Sequence, residues 1–179
     1  MSNRKKLNHL KYLTLSAVFA AMIYVVTAFV HIPTHQGYIH VGDGIIFIAA
    51  AVLPAPYAMG AAAIGAGMSD YLSGYAMWVL PTMIIKSLMV LFFDSGSGKI
   101  LCKRNIFALI PAGLICVGGY YLFGVLLSIL SGSAAQAALM AALADVPSNM
   151  IQITASSGLF FVLGAGLDKS GVRLTGKRL

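Results

Sequence analysis

The sequence predicts an all-α integral membrane protein: a bundle of six transmembrane helices in a single domain, with both termini in the cytoplasm. Two observations carry this. Hydrophobic residues make up 59% of the 179 positions and charged residues only 9%, where a soluble domain has about 25% charged. The basic residues are also clustered. Arg4, Lys5, Lys6 and Lys11 form one group, Lys99, Lys103 and Arg104 a second, and Lys169, Arg173, Lys177 and Arg178 a third. Apolar stretches separate the three, which is the pattern of cytoplasmic segments under the positive-inside rule. At about 20 residues per crossing, the length suits roughly six spans and no separate catalytic domain.

Other classes are excluded on the same grounds. The chain is too hydrophobic for disorder, and two cysteines are too few for a disulfide scaffold. A net charge of +7 suggests nucleic acid, but a nucleic-acid surface interleaves aromatic or polar side chains with basic ones, and these clusters do not.

The spans follow in order. Residues 12–30 are apolar throughout and form the first, read as retained because no A-x-A-like cleavage site follows it. Residues 41–53 and 57–72 are two shorter helices separated by Pro54 and Pro56, since proline lacks the N–H and crowds the preceding turn. Residues 81–93 start at Pro81, a favoured first-turn position. Residues 106–130 form a long fifth span, and residues 147–167 a sixth beginning at Pro147. Four spans before the middle basic cluster and two after it keep all three clusters on one side. The third span is dense in small residues, Gly60, Ala61, Ala62, Ala63, Gly65, Ala66 and Gly67, which permit close helix packing in lipid. No internal repeat is visible, which argues against an inverted-repeat carrier.

The polar residues left in or near the membrane carry the functional information. This topology places residues 31–40, 71–80 and 131–146 on the outer side as loops. In or just below them lie His31, His35, His40, Asp43, Asp70, Trp78, Asp145, Asn149 and Gln152, and Lys86 falls inside the fourth span. A charge at a helix centre costs at least about 2.5–3.5 kcal/mol, so it needs a partner or a function. Lys86 can pair with Asp43 or Asp70, and both a structural pair and direct ligand contact stay open for these three. Asn149 and Gln152, three apart, share a helix face, and their amides match either a hydrogen-bonding heterocycle edge or a neighbouring helix. Trp78, Tyr71, Tyr75 and Tyr38 form either an interfacial aromatic belt or a lid over a ring-shaped ligand.

Metal ligation is weakly signalled: His31 and His35 flank Pro33, and the chain has no glutamate. Cys102 and Cys116 read as free thiols. No phosphate-binding loop, nucleophile elbow or H-E-x-x-H motif occurs. One enzymatic reading survives, an intramembrane aspartyl protease in which Asp43 and Asp70 share a proton. However, His40-Val41-Gly42-Asp43 lacks the first glycine of the G-x-G-D pattern of such proteases.

The stretch HIPTHQGYIHVGDGIIFIAAAVLPAPYAMGAAAIGAGMSDYLSGYAMWVLPTMIIKSLM, residues 31–89, resembles the substrate-binding S component of energy-coupling factor (ECF) transporters, on the riboflavin-type branch. The matching features are a glycine-aspartate opening the second span, a proline-rich turn, a glycine-rich third span ending in an aspartate, and a Pro…Ile-Ile-Lys fourth span. Pro147-Ser148-Asn149-Met150-Ile151-Gln152 resembles the opening of the family's sixth helix. The resemblance implies a riboflavin-transporter-like six-helix bundle in the plasma membrane. Such a protein is no enzyme and needs no cofactor. It captures a micronutrient outside the cell, associates with a membrane coupling subunit and two ATPase subunits, and topples to release its cargo inside. Ala17 and Ala21 match the family's A-x-x-x-A face for the coupling subunit, because small residues four apart leave a flat stripe. Met1-Ser2-Asn3 lacks the N-terminal histidine of the nickel and cobalt members, which speaks against a metal cargo. Among branches, the sequence looks most like the queuosine-precursor S components, whose cargo is a deazapurine. Riboflavin, pyridoxine and a thiamin-precursor pyrimidine are the alternatives. The implied ligand contacts are Asn149, Gln152, Trp78 and Tyr75, then Asp70, His40, Tyr38 and Lys86, with Asp43 as a structural or binding charge.

Overall fold

A computed structural model describes residues 3–33 and 38–170 of the protein. Among them are six helices: α1 (Asn3–Phe29), α2 (Gly42–Val52), α3 (Ala55–Leu72), α4 (Val79–Val90), α5 (Lys103–Leu130) and α6 (Ala135–Ser170). A two-stranded antiparallel hairpin, β1 (His31–Pro33) and β2 (Tyr38–His40), joins α1 to α2, and a 3-10 turn, Ala76–Trp78, leads into α4. The predicted C-terminal cluster of Arg173, Lys177 and Arg178 lies outside the described residues, as does His35.

The bundle is built around α2. All eleven of its residues are buried, and α1, α3, α4 and α6 pack around it. At about 1.5 Å per residue it is roughly 16 Å long, half the thickness of a hydrocarbon core. Its sequence is apolar apart from Asp43, which suits a helix surrounded by other helices. Pro54 ends it in extended backbone and opens α3 one residue later. At one end of the bundle Phe47 of α2 stacks on Phe93 at 5.2 Å, and Phe160 of α6 meets both rings edge-on at 6.1 and 6.0 Å. The linker after α4 is pinned at that end. Asp168 accepts hydrogen bonds from the Ile100 and Leu101 N–H groups at 2.8 and 3.0 Å, and Asn105 bonds Asp94 and Ile100 backbone groups.

Small residues set the helix spacing, as the composition of α3 suggests. A Cβ on Gly65 would come within 2.5 Å of the Ala20 carbonyl and 2.8 Å of Ile23, so α1 and α3 touch there. Gly67 stands equally close to Met83 of α4, and Gly119 of α5 to Ile85 of α4.

Three predicted boundaries need correction. The sixth helix starts at Ala135, not Pro147, so most of the expected outer loop 131–146 is helical. The alanine-rich run 134–144 has the highest intrinsic helix propensity in the chain, and it carries the helix through Pro147. Helix α1 extends back through the basic cluster to Asn3, where residues 12–30 were expected. The expected loop 31–40 contains the hairpin. Helices α1, α5 and α6 are long and apolar enough to cross a membrane, whereas α2 and α4 are shorter apolar helices.

The α1–α3 contact is testable. Gly65→Ala should destabilise the protein by about 1–3 kcal/mol, the usual cost of overpacking. Gly118→Ala, whose added methyl meets nothing within 4 Å, should be neutral. Thermal unfolding in detergent reads both.

Candidate functional site

A buried ion pair organises the site. Lys86 projects from α4 into the bundle with no exposure, and its Nζ lies 2.7 Å from Oδ1 and 2.9 Å from Oδ2 of the equally buried Asp43. Asp43 stands in the first turn of α2, where the helix dipole favours a carboxylate. Gln152 of α6 donates its Nε2 to Oδ2 at 2.9 Å. Cys116 of α5 lies 3.7 Å from Nζ, and the ring of Tyr120 faces Nζ with its centroid 5.0 Å away. Four helices thus converge on one compensated charge. The choice between Asp43 and Asp70 as partner of Lys86 falls to Asp43.

Directly against this network is a cavity of about 80 Å³ at the hairpin end of the bundle. Seven of the eight predicted ligand contacts line it: Tyr38, His40, Asp70, Tyr75, Trp78, Asn149 and Gln152. Lys86 does not, since Asp43 and Tyr120 enclose it. The wall also contains Thr82, Tyr120, Asp145 and Ser148.

Each residue reaches the cavity for a local reason. Tyr38 and His40 are two apart on β2 and so project to one side of the hairpin. Tyr38 packs on Tyr75 at 5.2 Å and donates its hydroxyl to Asp70 Oδ1 at 2.6 Å. Burial and then the adjacent Asp70 charge raise its phenol above the ordinary range. The His40 Nδ1 accepts the Gly42 N–H at 3.1 Å, which leaves the proton on Nε2. Burial pushes the pKa of this imidazole down to about 4. Gly42 is required here, because a Cβ would collide with the Thr27 hydroxyl of α1. Asp70, in the last turn of α3, is 7% exposed. The 3-10 turn brings in Trp78, whose ring lies 5.8 Å from Tyr120. Asn149 Nδ2 donates one of its two N–H groups back to the Asp145 carbonyl at 3.2 Å. Tyr71, offered with these aromatics, is 62% exposed on the outside of the bundle and lies outside the cavity lining.

Thr82, Tyr120 and Ser148 were not anticipated. Thr82 precedes Lys86 by one helical turn and shares its face. Tyr120 carries a hydroxyl in the middle of an apolar span, which signals a buried partner, and it meets Thr82 at 3.1 Å.

The protease reading is not supported. Asp43 is held by a cation and an amide, so it is unavailable to share a proton with Asp70. Among the described residues no three metal-ligating side chains gather. Ala17 and Ala21 lie on the exposed side of α1, along a groove shared with Gly65 and other residues of α3.

A helical bundle built around a buried ion pair, with a polar-aromatic cavity at one end, is the architecture of a ligand-binding membrane component. The chain matches the family described as ECF-type riboflavin transporter, S component, over residues 7–169, and it belongs to that family. The family comprises substrate-binding membrane components, not enzymes, and its members work with a coupling subunit and ATPase subunits. A comparison with curated proteins gives no match.

Two outcomes follow from the ion pair and its neighbour. Lys86→Met should cost about 3–5 kcal/mol by leaving Asp43 buried and unpaired, and adding Asp43→Asn should recover part of that loss. A double-mutant cycle by thermal unfolding measures both. Burial lowers the folded His40 imidazole to about 4 from its ordinary value of 6.5. Its contribution to stability is therefore intact above pH 6.5 and declines as pH falls toward 4. A His40→Gln variant should lack that step in a stability-against-pH series.

Proposed function

We propose that this S component captures a small planar heterocycle outside the cell, and that the cargo is a queuosine precursor of the deazapurine type. The observation that carries this is the convergence of amide, carboxylate and aromatic groups on one small cavity. A deazapurine presents adjacent N–H donors and a carbonyl on one edge. The Gln152 and Asn149 amide oxygens and the Asp70 carboxylate can accept the donors, while Trp78 and Tyr75 offer ring faces. The resemblance to the queuosine-precursor branch supports the same choice. A second reading, riboflavin, rests on the family's description. Pyridoxine and a hydroxymethylpyrimidine lack the resemblance.

The same proposal sets the chain in the membrane as one domain of six crossings, both termini and the 91–102 linker inside, and the hairpin end outside. Ala17 and Ala21 then face the coupling subunit, through which two ATPases drive release. Small side chains along the α1–α3 groove allow a partner helix to approach closely.

Trp78 is the sole tryptophan, and its place on the cavity wall makes it the reporter. Titrating the detergent-solubilised protein with queuine, its deazapurine precursors, riboflavin, pyridoxine and a hydroxymethylpyrimidine should give saturable one-to-one quenching by a deazapurine. Asn149→Ala and Gln152→Ala should each weaken that binding by more than about 1 kcal/mol. Saturation by riboflavin alone would transfer the assignment to the second reading. Unchanged affinity in both variants would remove the amides from it.

A further inference from the structure

Two carboxylates, Asp70 and Asp145, line the cavity, and among the described residues no lysine or arginine does. Lys86, the buried cation among the described residues, is taken up by both oxygens of Asp43. The imidazole of His40 is neutral at pH 7, for it accepts a backbone N–H on Nδ1 and is buried. Asp70 therefore accepts the Tyr38 hydroxyl, with no cationic side chain among the described residues in ion-pair contact. It is 7% exposed, and the cavity is the open space beside it.

A buried carboxylate supported by neutral donors is costly to maintain, and a cation beside it is the usual compensation. The remaining walls favour the same species. Trp78, Tyr75 and Tyr120 line the cavity, and aromatic faces attract a cation electrostatically, most strongly where water is excluded. A neutral ring gains stacking from these walls but leaves the carboxylate as it was. A ring bearing a positive charge gains from both.

We infer that the cavity selects a cationic heterocycle, a planar ring carrying a protonated amine or an amidinium group, with the Asp70 carboxylate as its counter-ion. This rests on the reading of the cavity as the ligand site, and it divides the deazapurines themselves. A precursor with an aminomethyl substituent is favoured over one with a neutral nitrile at the same position.

Matched pairs test the charge separately from the ring. The full chain in detergent at pH 7 is titrated with benzamidinium and with benzamide, two flat molecules of nearly the same shape that differ in charge. The 7-aminomethyl and 7-cyano derivatives of 7-deazaguanine form the second pair. Trp78 fluorescence and thermal shift are the readouts. In each pair that binds, the cation should bind at least tenfold more tightly, and Asp70→Asn should reduce the preference to less than threefold. If both deazapurines fail while benzamidinium still outbinds benzamide in an Asp70-dependent way, the deazapurine assignment falls and the charge selection stands. Equal binding within the pairs, a preference for the neutral member, or a cation preference that survives Asp70→Asn overturns the inference. Silence of all four probes with correctly folded protein overturns it as well. Should Asp70→Asn fail to fold, the wild-type comparison of cation with isostere decides alone.

Discussion

The contact between Lys86 and Asp43 is the constraint on which the rest of this bundle depends. Neither charge is exposed, and in an apolar surrounding each is tolerable only with the other in place. The pair specifies how α2 and α4 face each other, because a rotation of either helix by one residue, about 100°, would separate the charges. Gln152 then ties α6 to the same point, and Tyr120 and Cys116 bring in α5. Apolar side chains alone would allow several rotations of similar energy, since lipid and leucine are equally hydrophobic and offer little preference between them. A buried charge admits only one.

The cavity is a consequence of that arrangement. Gln152 serves twice, with its nitrogen committed to Asp43 and the same side chain forming part of the cavity wall. Thr82 and Lys86 lie one turn apart on α4, so the rotation that buries Lys86 also brings Thr82 to Tyr120. The hairpin closes over this level. Tyr38 hydrogen-bonds Asp70 and packs on Tyr75, which couples the α1–α2 connection to the α3–α4 connection across the mouth of the cavity. Floor and cover are thus held by different interactions, a compensated charge below and hydroxyl and ring contacts above.

Close packing complements the ion pair. Gly65, Gly67 and Gly119 bring neighbouring helices to distances at which a methyl group would clash. Such approach maximises dispersion contact, the main attraction available between helices in lipid. It also leaves room at the centre for α2, which is enclosed along its whole length. Its two ends are defined separately, by Gly42 against Thr27 and by Pro54 at the turn into α3.

The sequence by itself determined the membrane class and the helical makeup, and it singled out Lys86, Asp43 and Asp70 as charges needing a partner or a function, together with most polar and aromatic residues of the cavity wall. These follow from local properties: apolar runs, clustered basic residues, and polar side chains too costly to leave in lipid without purpose. The partner of Lys86 was beyond its reach, because helical periodicity shows which residues share a face but not which neighbouring helix that face meets. Thr82 was invisible for the same reason, and the Tyr120 hydroxyl in its apolar span signalled a partner without saying which, until α4 and α5 are packed together. Pro147 misled because proline marks a helix start only as a local preference, and an alanine-rich run before it kept α6 continuous. The tertiary structure decided these points, and it alone showed that Asp70, unlike Asp43, faces an open cavity with the Tyr38 hydroxyl for company.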